Sequence, residues 1–203
     1  MKKEENVPME NNIIRNMERK LILQCAPLFI KQRISAFYMA GEDELESLVR
    51  ICSSMKITAR ALGKVGNKWG ALLYHKSLLS EYLKNEDVRE LLGEMGYENT
   101  ELIPVLLEFA QRYRHYGIFG EGFPHEMGLI LGYPADDVKG YISNKGENSL
   151  FIGCWKVYKK LPEKMRLFKE FERAKQIMIM LNLRGLSLSK IVRMLEEIPA
   201  GFL

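Results

Sequence analysis

The chain has 203 residues, 47% of them hydrophobic and 28% charged, which is ordinary usage for a globular protein with a single core. No apolar run approaches the ~20 residues of a membrane helix: the longest candidate, Ile177 to Leu183, is short and interrupted by Asn182. The net charge of +4 is mild, and Lys and Arg are mixed with Asp and Glu along the chain, which argues against a nucleic-acid partner, whose footprint is a basic stripe.

The opening residues Met1 to Asn6 are charged but have no apolar core behind them, so they do not read as a secretion signal. Cys25, Cys52 and Cys154 form no CxxC pair. Sparse cysteines without a signal point to reduced thiols, not to a disulfide framework or a zinc ribbon. A cytoplasmic location is expected.

Residues 1–10 are expected to form a disordered tail. Asn11 or Asn12 can cap a helix to about Gln24, with Ile13, Ile14, Met17, Leu21 and Ile22 on one face. Pro27 disfavours helical geometry at Ala26, so that helix is expected to stop near Cys25, where the helix dipole disfavours a thiolate. Residues 28–40 are apolar with Lys31, Gln32 and Arg33 interleaved, and no period types them. Glu42 to Ser54 reads as a helix with acids in its first turn and Leu45, Leu48, Val49 and Cys52 on its apolar face. Strand formers in Lys56–Leu62 and Trp69–His75 flank the turn residues Gly63 to Lys68, which predicts a hairpin.

Ser77–Asn85 and Asp87–Met95 read as short helices, with Gly96 at the end of the second. Thr100 to Tyr116 reads as a longer one with Thr100 as cap. Gly117 to Gly122 is a glycine-rich break; it lacks the Lys-Ser/Thr of a phosphate loop, and Glu121 would repel a phosphate. Pro124 then starts a short helix ending near Gly132, and Pro134 starts another with Asp136 and Asp137 in its first turn.

Asn144 to Asn148 is a loop, and Leu150 to Tyr158 reads as a strand or strand-like segment with Cys154 in its apolar core. Pro162 opens a helix to about Leu183, Gly185 breaks it, and Ser187 or Ser189 caps a last helix to Glu197. This last pair lacks a following recognition helix and so reads as a hairpin packed on the domain or as a dimer contact. The sum is a helix-rich α+β single domain over residues 11–183, with a small, mostly antiparallel sheet, and a C-terminal helix over residues 184–203 packed on it.

Phe123 to Tyr158 concentrates the unusual residues. Phe123-Pro124-His125-Glu126-Met127-Gly128 is followed by Leu131-Gly132-Tyr133-Pro134, by Asp136 to Ile142, and by Gly153-Cys154-Trp155-Lys156-Val157-Tyr158. Together with Cys25-Ala26-Pro27, these blocks resemble an uncharacterised bacterial family of anaerobic Gram-positive organisms, the domain of unknown function numbered 3793. The resemblance covers about residues 20 to 180. The chain departs from it after Pro27, where relatives carry small residues and Gly-Ile-Lys and this chain has Phe29-Ile30-Lys31-Gln32-Arg33. The family implies a fold neighbourhood and no agreed activity.

His125 follows Pro124, where an imidazole can serve as general base or metal ligand, with Glu126 beside it; the alternative is that both simply complete a helix cap. Cys25 or Cys154 would make a nucleophile or a metal thiolate only within hydrogen-bond reach of that imidazole. Tyr133, Trp155 and Tyr158, with Lys156, can line a ligand pocket or pack as core. His75 and His115, beside Lys76 and Arg114, read as structural. Three functions remain open: a module binding a small molecule or a protein partner in a cleft near the Pro-His-Glu and Trp-Lys-Val-Tyr motifs, an enzyme using His125 as acid/base, or a metal- or redox-responsive regulator. Neither a cofactor nor an oligomeric state is legible.

Overall fold

The computed structural model describes residues 7–197, and the side chains from Ile14 onward. The expected N-terminal tail falls largely outside these residues, as do the last residues of the expected C-terminal segment. The architecture is α+β: a three-stranded antiparallel sheet, with its last strand in sequence at the centre, covered by helices on both faces, and a separate two-stranded hairpin. Among the described residues, no helix is long and apolar enough to cross a membrane.

The first helix, α1 (Val7–Phe29), begins before Asn11 and Asn12 and runs straight through Pro27. A proline inside a helix costs about 3 kcal/mol. Here Leu28 and Phe29 beyond it are fully buried, and each large apolar side chain returns about 1.5–3 kcal/mol. The carbonyl that loses its partner belongs to Leu23, whose side chain is 52% exposed, so that side of the helix meets water. The untyped segment after α1 supplies β1 (Ser35–Ala40). A 3-10 turn over Glu42–Glu44 leads into α2 (Leu45–Ser54), which buries Leu48 and Cys52 one turn apart. Val49, expected on that face, is 47% exposed.

The predicted hairpin is present as β2 (Thr58–Val65) and β3 (Lys68–Tyr74). β3 is the central strand, and its alternate residues serve different cores: Ala71 and Leu73 face one, Leu72 and Tyr74 the other. The first core joins the sheet to α1, α2, α8 (Leu161–Leu183) and α9 (Leu188–Glu196). The second joins it to α3 (Lys76–Tyr82), α4 (Glu86–Glu94) and α5 (Leu102–Phe119).

Helix α5 starts at Leu102, with Glu101 and not Thr100 at its cap, and continues through Gly117, which was expected to break it. A side chain at Gly117 would run into the Lys64 carbonyl of β2, so the glycine lets helix and strand touch. The C-terminal helices form the predicted hairpin. Ser187 holds the cap position of α9, but the side chain that bonds its first turn comes from another helix: buried Glu18 of α1 accepts from Leu188 N–H at 3.1 Å.

Candidate functional site

The segment from Gly120 to Lys160 is built from short elements: α6 (Met127–Ile130), α7 (Ala135–Ser143), β4 (Phe151–Ile152) and β5 (Lys156–Val157). Leu129 and Ile130 of α6 and Val138 of α7 pack into the second core, and Val157 of β5 into a smaller one. Side-chain bonds to backbone carbonyls fix the segment. Ser35 Oγ donates to the Ile130 carbonyl at 2.5 Å, Arg33 to the Leu131 carbonyl at 3.0 Å, and Tyr82 to the Tyr133 carbonyl at 2.6 Å. Gly132 between them has φ +72°, and a side chain there would also strike Ile34.

Two of the sequence expectations change here. His125 does not open a helix; it lies in a turn before the single-turn α6, and Glu126 holds the cap position. The stretch from Leu150 to Tyr158 is not one strand but a tight hairpin. Leu150 N–H donates to the Val157 carbonyl at 2.8 Å, and Gly153 N–H to the Trp155 carbonyl at 3.0 Å. A side chain on Gly153 would collide with the Phe168 ring. Cys154 therefore sits exposed at the turn and not in a core.

Asp137 is the residue that sequence reading passed over. It is 2% exposed. Its Oδ2 accepts the Trp155 indole N–H at 2.8 Å, and its Oδ1 accepts the backbone N–H groups of Tyr158 and Lys159 at 2.8 and 3.1 Å. The Lys164 ammonium lies 3.8 Å away. One carboxylate thus ties the first turn of α7 to the hairpin and to α8. The only available signal was chemical: a tryptophan in an apolar setting needs an acceptor for its N–H.

Trp155 belongs to a column of stacked groups. Arg33 lies over one face of Tyr133 at 5.2 Å, Trp155 stacks on Tyr133 at 4.8 Å, and Phe168 meets Trp155 edge-on at 4.6 Å. Together with Val157 and Phe171 these rings form a third, small core.

Beside this column is a cavity of about 280 Å³. His125, Tyr133, Cys154, Trp155 and Lys156 all line it, with Met127, Leu131 and Val138 as its apolar wall. The His125 ring is held between the rings of Phe123 and Tyr141, at 5.8 and 5.7 Å. Phe123 and His125 also border a second, open groove of about 1000 Å³ along α5, so these two side chains separate the two spaces.

The remaining site candidates lie elsewhere. Glu126 is buried and accepts from Tyr97 Oη at 2.9 Å and from Arg112 at 3.4 Å, which commits its carboxylate to the groove floor. That carboxylate, after burial itself, is what raises the Tyr97 phenol above its usual range. Cys25 is buried against α2 in the first core, where burial and then Cys52 push its thiol up to about 12. Tyr158 packs on Gly140, and its hydroxyl is buried with no hydrogen-bond partner.

No hydrogen bond joins the His125 imidazole to a thiol or carboxylate among the described residues. Although residue 154 is exposed overall, partial desolvation of its thiol by the surrounding chain raises it, against the opposing pull of Arg33 and Lys175. Also among the described residues, no three His, Cys, Asp or Glu side chains converge as a metal site would require. His75 proves more buried than its charged neighbour suggested: its Nε2 lies 2.8 Å from the Leu28 carbonyl, joining the end of α1 to the start of α3.

No curated protein and no solved structure matches the chain. A family model does match, over residues 21–192, which includes every block that fixes the hairpin, the aromatic column and the cavity. The chain is a member of the family described as protein of unknown function DUF3793.

Proposed function

We propose that the protein is a small-ligand-binding module whose site is the 280 Å³ cavity between α6, α7 and the β4–β5 hairpin. The observation that supports this reading is convergence. Residues far apart in sequence, His125, Tyr133, Cys154 and Lys156, bring an imidazole, a phenol, a thiol and an ammonium to one largely apolar space. A concave apolar pocket with a few convergent polar groups is the usual form of a small-molecule site.

The volume is close to the lower end for such sites, about 300 Å³, and exceeds the ~150 Å³ apolar cavity that holds benzene. The open groove provides the approach, and Phe123 and His125 form the partition. The reading requires no catalytic set.

The test is protein-observed NMR of the ¹⁵N-labelled chain against a diverse fragment library. Fragments are expected to shift the amides of Gly128, Val138 and Cys154, and a Val138→Phe variant, which fills the cavity, should lose those shifts. A library in which no fragment moves these resonances would overturn the proposal.

A further inference from the structure

Resting on the cavity as the ligand site, we infer that its ligand is a small organic anion: a carboxylate carried on a compact apolar or aromatic body. Two permanent charges line the space. Asp137 is its single acid and Lys156 its single permanent cation. These two do not neutralise each other. The Asp137 oxygens are already taken by the Trp155 indole N–H, by the N–H groups of Tyr158 and Lys159, and by the Lys164 ammonium.

Lys156 is differently placed. Its Nζ donates to the Gly146 carbonyl at 2.6 Å and lies 5.8 Å from the centre of the Tyr141 ring. Among the described residues no carboxylate lies within ion-pair distance of it. An ammonium has three donors, and one carbonyl uses one of them. Arg33 adds positive potential from behind Tyr133. The cavity is therefore bordered by a residue whose ammonium has donors to spare, and its one acid is already committed elsewhere. A partly dry site of this kind favours an anionic guest, because charge-assisted hydrogen bonds are roughly twice as strong as neutral ones.

The rest of the lining sets the body of the guest. Met127, Leu131 and Val138 are apolar, and a bare inorganic anion would leave that wall facing nothing. A volume of about 280 Å³ equals roughly nine waters at ~30 Å³ each, which admits a molecule of benzoate size.

The experiment uses three probes of one shape, benzoate, benzamide and benzylammonium, titrated into the ¹⁵N-labelled full chain and into Lys156→Met and Lys156→Arg. Benzoate is expected to shift the Gly128 and Val138 amides and the Trp155 indole N–H, and to bind at least ~10-fold more tightly than benzamide. Lys156→Met should cut benzoate affinity by ~10-fold or more and leave benzamide unchanged, while Lys156→Arg, which keeps the charge, retains the preference. Unshifted resonances of α5 and β3 in both variants show that the fold is intact.

If benzamide or benzylammonium binds the cavity as well as benzoate does, the anion assignment is wrong and the binding site stands. The anion assignment also falls, and the site stands, if library fragments enter the cavity and none of the three probes does. If nothing enters it, both readings fall.

Discussion

The central sheet and the Phe123–Tyr158 segment share a core but differ in what else holds them. The sheet is stabilised by bulk. β3 is buried on both faces, and two apolar cores meet across it. The segment packs Leu129, Ile130 and Val138 into the second of these cores, but its elements are short and its turns are also fixed by named donors and acceptors: Arg33, Ser35, Tyr82, Asp137 and Lys156. Apolar cores tolerate exchange of one hydrophobe for another of similar volume. A bonded scaffold tolerates no such exchange, since removing one partner leaves a buried group unsatisfied. The cavity lies in the second kind of structure, where a polar network can hold a few side chains in a fixed arrangement.

The widest separation between the two regions should come from paired truncations. Phe109→Ala, in the core under the sheet, is expected to lose about 4 kcal/mol of global stability, with faster amide hydrogen exchange throughout the sheet. Asp137→Ala is expected to lose about 3 kcal/mol, because it leaves the Trp155 and backbone N–H groups and Lys164 without their acceptor. Its exchange should rise first in residues 150–160 and leave β3 protected. Identical exchange patterns in the two variants would erase the distinction.

A smaller effect tests the seam between the regions. Ser35→Ala removes the donor to the Ile130 carbonyl and should lower stability by about 1–2 kcal/mol in urea unfolding. The change should perturb α6 more than the strand that carries residue 35, as read from amide shifts.

The smallest effect concerns Glu18. Burial holds its carboxyl above the ordinary range, against the opposing Leu188 N–H and the charge of Arg15. A raised pKa in the folded state means stability that is present at low pH and lost as pH rises through the folded value. Glu18→Gln keeps an acceptor for Leu188 N–H without the charge. Near neutral pH it should raise Tm by on the order of 1–2 °C, and the gain should vanish as pH falls below the usual carboxylate range. A gain that persists in acid would show that the charge is not the cause.

The parts legible in sequence were those with a period or a strong turn signal. The Gly63–Lys68 centre marked the β2–β3 hairpin, and Pro162 and Gly185 bracketed α8. β1 escaped because Ser35 to Ala40 is covered on both faces, and a strand buried on both sides shows no alternation. Pro27 misled about α1 because local preference yielded to the burial of Leu28 and Phe29.

At the site, the motif blocks did meet. His125, Tyr133, Cys154, Trp155 and Lys156 face one cavity, while Cys25 lies in the first core, Glu126 under the groove and Tyr158 against α7. What could not be read was which polar side chain serves which distant backbone. The bonds of Asp137 to Trp155, Tyr158 and Lys159 span about twenty residues and leave no periodic trace.

The partition made by Phe123 and His125 has a thermodynamic consequence. Because the same two rings line both the groove and the cavity, the two spaces share part of their boundary. Any occupant of the groove that turns Phe123 changes the affinity of the cavity for its guest, and linkage requires the guest to change the affinity of the groove by the same factor. Two volumes sharing one movable wall behave as a single coupled system, even when only one of them is filled.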